Sequence, residues 1–103
     1  MKHFRIKASK KYLYDDYKYY PQYRKNILCQ YRYLKIEDVR GLDLHTLNKP
    51  FNYSWNTDSE NRVFLESLKD AKTVCELYNK FLAEIAVSFA DTLIKELRKG
   101  GER

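Results

Sequence analysis

The sequence is poor in the residues from which loop-built sites are made. Three glycines and two prolines are spread over 103 residues. That is too little glycine for a phosphate cradle, and neither a P-loop nor G-x-S-x-G nor H-E-x-x-H is present. The two cysteines, Cys29 and Cys75, are too few for a disulfide framework. One falls in an expected strand and one on an expected apolar helix face. Both read as buried thiols of a reducing, cytoplasmic compartment. With His3 and His45 they make four soft metal ligands, all distant in sequence and without C-x-x-C or H-x-x-x-H spacing. No metal and no cofactor is expected. A membrane span needs roughly 18–20 apolar residues, and no stretch approaches that. The start, Met1 to Lys7, has no apolar run behind its charges and does not read as a signal peptide.

What is present is charge of one sign and tyrosine. The chain carries +6 overall. The first 35 residues hold 10 basic and 2 acidic residues, while residues 56–103 hold 8 and 9. The excess is therefore confined to one segment, which marks a candidate electrostatic footprint. Eight of the ten tyrosines lie between residues 12 and 33. A small domain cannot bury eight phenols with satisfied hydroxyls, so several must face solvent or a partner. Tyrosine beside Lys and Arg suits base stacking with phosphate neutralisation, and it suits a protein interface equally. Ordinary strand propensity and cross-strand ring pairs are the structural alternative.

Size and patterning point to one α+β domain over 1–103. Residues 1–66 read as strands and loops, forming a small antiparallel sheet of 3–5 strands. Residues 67–99 read as one long or broken C-terminal helix packed on it. Phe4, Ile6 and Ala8 alternate with His3, Arg5 and Lys7, as in a half-buried strand. Residues 11–14 read as a second strand, with Asp15-Asp16 as its turn. Residues 17–20 read as a short return strand, with Pro21 placing that piece at an edge or in a loop. Residues 26–35 are the most strand-like run by alternation. Residues 36–50 read as a loop with one helical turn, held down by leucines. Residues 51–55 and 62–65 read as further short strands. Ser67 with Asp70 forms a near capping box. Apolar residues then recur at gaps of three and four from Leu68 to Leu97.

The binding residues expected from this pattern are Lys10, Lys11, Lys18, Arg24, Lys25 and Arg32 for phosphates. Tyr12, Tyr14, Tyr19 and Tyr23 are expected to stack on bases. The helix is longer than any short strand can cover, so Ile85, Phe89, Leu93 and Leu97 are expected to self-associate, giving a homodimer. No catalytic constellation is evident. Asp43 and His45 would share one side of an extended segment, without a nucleophile beside them. A non-enzymatic binding protein follows, directed at RNA, single-stranded DNA or a nucleic-acid-bound enzyme. A direct protein inhibitor is the alternative.

The Tyr/Lys-rich strand set, then Tyr20-Pro21-Gln22-Tyr23-Arg24, then Phe64 to Lys72 opening a helix, resembles small accessory proteins of phages and mobile elements. The Lys- and Tyr-rich, Gly-poor composition is similar to that of genes from AT-rich genomes. The resemblance implies anti-defence work in a host cytoplasm, such as an anti-CRISPR protein acting on a nuclease, a host defence protein. It carries over no functional residue. A second likeness is to whirly-type single-strand binders, in which a curved antiparallel sheet reads nucleic acid and a long helix makes the dimer.

Overall fold

The computed structural model describes residues 3–10 and 17–101 and, in the long helix, side chains through Ala86. Residues 11–16 lie outside that description, so the expected 11–14 strand and Asp15-Asp16 turn do too. The elements run β1 (Phe4–Lys10), β2 (Tyr17–Tyr23), β3 (Arg32–Tyr33), α1 (Ile36–Val39), a 3-10 turn (Leu44–Thr46) and α2 (Leu68–Gly101). The three strands form an antiparallel sheet in the order β1-β2-β3. One continuous helix follows, and Asn79 does not break it.

Register explains how the sheet faces its helix. Phe4 opposes Tyr23, Ile6 opposes Pro21 and Ala8 opposes Tyr19. Side chains alternate across a strand, so these residues share the face that meets α2. Their counterparts there are Ala71, Val74, Cys75 and Tyr78, one stripe at helical spacing. Leu34, Val39, Val63 and Val74 are fully buried and close the core. Leu42, Leu44 and Leu47 pack in from the 36–50 segment, as its leucines require.

Pro21 sits inside the middle strand, which corrects the expectation of an edge. Tyr19 exchanges both backbone hydrogen bonds with Leu65, so its polar groups point away from β1. By alternation those of Pro21 do too. Its carbonyl accepts from the Leu34 N–H at 3.1 Å. The missing donor thus falls at the junction between the Leu65 bridge and β3, where no ladder bond is lost.

Two expected strands are turns. Asn26 accepts the Leu28 and Cys29 N–H groups on Oδ1 at 2.9 and 3.1 Å. Asn52 accepts the Ser54 N–H, and its carbonyl takes the Trp55 and Asn56 N–H groups. In both places a local Asn bond replaces the ladder that alternation suggests. The 26–35 run is strand only at Arg32–Tyr33. Cys29 is exposed on the first turn, against the buried thiol expected. Cys75 is buried as expected, and desolvation, with Glu76 adding to it, pushes its thiol up to about 11. Residues 62–65 are extended but pair singly, Arg62 with Lys35, Val63 with Thr57 and Leu65 with Tyr19.

The start of α2 is a tie point. Ser67 Oγ accepts the Asp70 N–H at 3.1 Å, as in a capping box. The buried Asp70 carboxylate instead takes the Asn48 and Lys49 N–H groups at 2.9 and 3.2 Å. It fastens the incoming loop to a helix end that favours negative charge.

Candidate functional site

The same register places the other set of side chains on the sheet face opposite the helix. Arg5 opposes Gln22, Lys7 opposes Tyr20 and Ser9 opposes Lys18. Tyr33 opposes Gln22 from β3. Tyr31 and residues 62–64 lie along part of this face, burying Tyr20 and Gln22, while Arg5 and Lys7 stay exposed. The face carries Arg5, Lys7 and Lys18 from the strands and Arg24 from just past the end of β2. Tyr20, Tyr31, Tyr33 and Phe64 supply its rings.

The cations lie on the rings. Arg5 and Arg24 sit 4.2 and 4.7 Å from the centroid of Tyr31. Lys7 lies 6.0 Å from Tyr33, and Lys18 lies 4.4 Å from Phe64. The rings themselves are continuous: Tyr20 meets Tyr33 edge to face at 5.5 Å and Phe64 at 5.6 Å. Arg5 Nε also donates to Gln22 Oε1. Each cation–ring contact of this exposed kind is worth about 0.5–1 kcal/mol. A ring fixes a cation without cancelling its charge, which a carboxylate would do.

A hairpin supplies the fifth cation. Asp58 accepts the Glu60 and Arg62 N–H groups, both at 2.9 Å, and Arg62 Nε at 2.7 Å. Asn61 closes the turn at φ 63°, a left-handed conformation that asparagine tolerates. Arg62 thereby reaches over Tyr33 and Tyr20, at 4.7 and 5.5 Å. Burial works against the Asp58 charge, but the Arg62 and Glu60 donors outweigh it and hold its carboxyl below the usual range. Burial, with the Asp58 charge next, pushes the Tyr20 phenol up. Among the described residues, no carboxylate pairs with Arg5, Lys7 or Lys18.

The expected binding residues divide. Lys18 and Arg24 belong to the open face. Lys25 is exposed in the turn after β2, and Lys10 is exposed at the end of β1. Tyr19 and Tyr23 pack against the core on the helix side and do not join the open face. Tyr23 packs at a tilt against Phe4 at 5.1 Å and edge to face against Tyr78 at 5.5 Å. Arg32 is engaged elsewhere. It forks onto Asp38 at 2.9 and 3.2 Å and reaches Tyr78 Oη at 3.2 Å. Burial opposes the Asp38 charge, yet Arg32 and the Lys35 N–H outweigh it and lower its pKa. Lys11, Tyr12 and Tyr14 lie outside the described residues. So do the side chains of Phe89, Leu93 and Leu97, whereas Ile85 is half exposed.

The residues missed by the sequence reading are Arg5, Lys7, Arg62, Tyr20, Tyr31, Tyr33 and Phe64. Alternation in β1 does separate Arg5 and Lys7 from Phe4 and Ile6. The ring under each cation depends on cross-strand register, which no local pattern encodes.

Asp43 Oδ1 accepts the His45 backbone N–H at 3.2 Å and starts the 3-10 turn. That pair is a cap rather than an acid–base couple. Among the described residues, no group of three or more His, Cys, Asp or Glu is placed to hold a metal ion. Among them also, no helix is long and apolar enough to cross a membrane. Comparison with protein-family models, curated proteins and solved structures finds no match for this chain.

Proposed function

We propose that this is a non-enzymatic nucleic-acid-binding protein whose open sheet face takes the backbone of RNA or single-stranded DNA, free or held in a nucleoprotein enzyme. One observation carries the reading: Arg5, Lys7 and Lys18 are positioned on aromatic rings, and among the described residues no carboxylate pairs with them. Arg24 shares the Tyr31 ring with Arg5. Arg62, already paired with Asp58, contributes less. Tyr20 and Phe64 are nearly buried beneath their cations. Recognition is therefore led by phosphate, with base stacking secondary.

Three neutralised phosphates give a log–log salt slope of about −2 on a single strand. Fluorescence anisotropy of labelled oligo-dT and oligo-U across a salt series measures it. A slope near zero, or no binding to either strand, overturns the reading.

The long helix supplies a second part of the proposal. At 1.5 Å per residue it runs about 51 Å, against about 23 Å for a seven-residue strand. Ile85, Phe89, Leu93 and Leu97 recur every four residues beyond the sheet's reach, and a second copy through that stripe makes a homodimer. Ile85→Lys then shifts sedimentation towards the monomer, and an unchanged profile removes this part.

A direct protein inhibitor, of the phage anti-defence kind, is favoured by a different observation. Trp55 is 80% exposed, and Leu28 is 96% exposed at the tip of the Asn26 turn. Exposed Trp is typical of interface anchors. A stable complex with one host nuclease, resistant to nuclease digestion of the sample and abolished by Trp55→Ala, would establish this reading in place of the first.

A further inference from the structure

The outer edge of β1 is open among the described residues, and it borders a groove. Strand order puts β1 at one side of the sheet. The backbone groups of Arg5, Lys7 and Ser9 face β2, since Arg24 and Tyr20 lie on that side of the ladder. Those of Phe4, Ile6 and Ala8 therefore point outward. Directly beside them lies a groove of about 460 Å³ between β1 and the first turns of α2. Phe4, Ile6, Leu68 and Cys75 line it, with Lys72 and Glu76 at the rim. Leu68 is 44% exposed there.

We propose that β1 is a docking edge for an extended partner peptide that alternates apolar and acidic residues. An added strand would hydrogen-bond to the outward groups of Phe4, Ile6 and Ala8, as in strand addition to a sheet edge. Its side chains would then alternate between two environments. One set enters the groove beside Phe4, Ile6 and Leu68. The other set lies on the open face beside Arg5 and Lys7, where opposite charge across strands is favourable. Charge also excludes a second copy as the occupant. β1 contains Arg5, Lys7 and Lys10 and no acid. Pairing it antiparallel with itself would set like charges across the new seam.

The test uses the full chain and three labelled synthetic peptides. One alternates Val or Ile with Asp or Glu. The second is a scramble of the same composition without alternation. The third is alternating but with Lys for the acids. The first is expected to bind, with the other two at least about tenfold weaker, the difference of roughly one added set of strand and groove interactions. Ala8→Pro removes one outward N–H without touching the groove. It should weaken the first peptide about fivefold, the loss of one hydrogen bond. Leu68→Gln removes an apolar lining residue without adding charge, and it too should weaken the peptide while oligonucleotide affinity stays unchanged. That last readout separates this edge from the nucleic-acid reading. Equal binding of the scramble, no binding of any peptide, or indifference to both substitutions overturns the proposal. So does a dimer in sedimentation that Ala8→Pro dissolves.

Discussion

The two faces of β2 carry similar residues to different ends. On the helix side stand Tyr19, Pro21 and Tyr23, with Arg32 across from Tyr23. On the open side stand Lys18, Tyr20 and Gln22, with Arg24 just past the strand. Both sides pair Arg with Tyr. The difference lies in what completes each pairing. Arg32 ends on Asp38, so its charge is neutralised inside the fold. Arg5, Lys7 and Lys18 end on rings, so their charge is held in place and still acts outward. Composition cannot separate these roles, because the sorting is done by register.

The largest break in that comparison comes from below the helix-side face. Leu34→Ala should cost about 2–5 kcal/mol, as expected for a fully buried leucine. Urea unfolding would show it, while the salt slope of oligonucleotide binding in the folded protein stays the same. The converse change is the combined Arg5→Gln, Lys7→Gln and Lys18→Gln variant. It should bring the salt slope down by about 2, at about 0.7 for each phosphate no longer neutralised. Its stability should fall by about 1.5–3 kcal/mol, at about 0.5–1 kcal/mol for each of the three cations that no longer sits on its ring.

Smaller is Arg32→Gln, which leaves Asp38 without its main partner. About 1–2 kcal/mol of stability should go, near the low end because Arg32 is half exposed and screened. Oligonucleotide affinity should barely change. Acid titration sharpens the same point. Asp38 and Asp58 both have folded pKa values below the ordinary carboxylate value. Such groups stabilise fully above the unfolded pKa of about 4, and that contribution is lost as pH falls through the lower folded values. Unfolding measured between neutral pH and about pH 2 should show that loss, and Asp38→Asn should reduce its slope. The smallest effect is expected of Glu60→Gln. Glu60 lies 3.5 Å from Arg62 at the rim and is largely exposed. Removing its charge should tighten oligonucleotide binding about twofold, as expected for a rim charge.

Much of the architecture was legible from period alone. Phe4/Ile6 alternation predicts β1, and the gaps of three and four after Ser67 predict α2 within two residues at either end. The α+β class follows from those two. The misreadings share one cause. At Asn26 and Asn52 a side-chain amide captures nearby N–H groups, and a run that alternates well becomes a turn. Pro21 misleads in the opposite direction, since its missing donor is harmless only where Leu65 hands over to β3. Of the candidate site, the sequence shows the basic, tyrosine-rich composition and the residues Lys18 and Arg24. It does not show that Tyr31 belongs to Arg5, or that Arg62 comes from a hairpin far along the chain, because both are tertiary facts.

The most direct measurement is amide chemical-shift mapping of the labelled protein as oligo-dT or oligo-U is added. Shifts concentrated at Arg5, Lys7, Lys18, Tyr20 and Tyr33, with Tyr19, Tyr23 and Arg32 little changed, are the predicted result. Shifts centred on the helix side, on the Trp55 turn, or nowhere would contradict it.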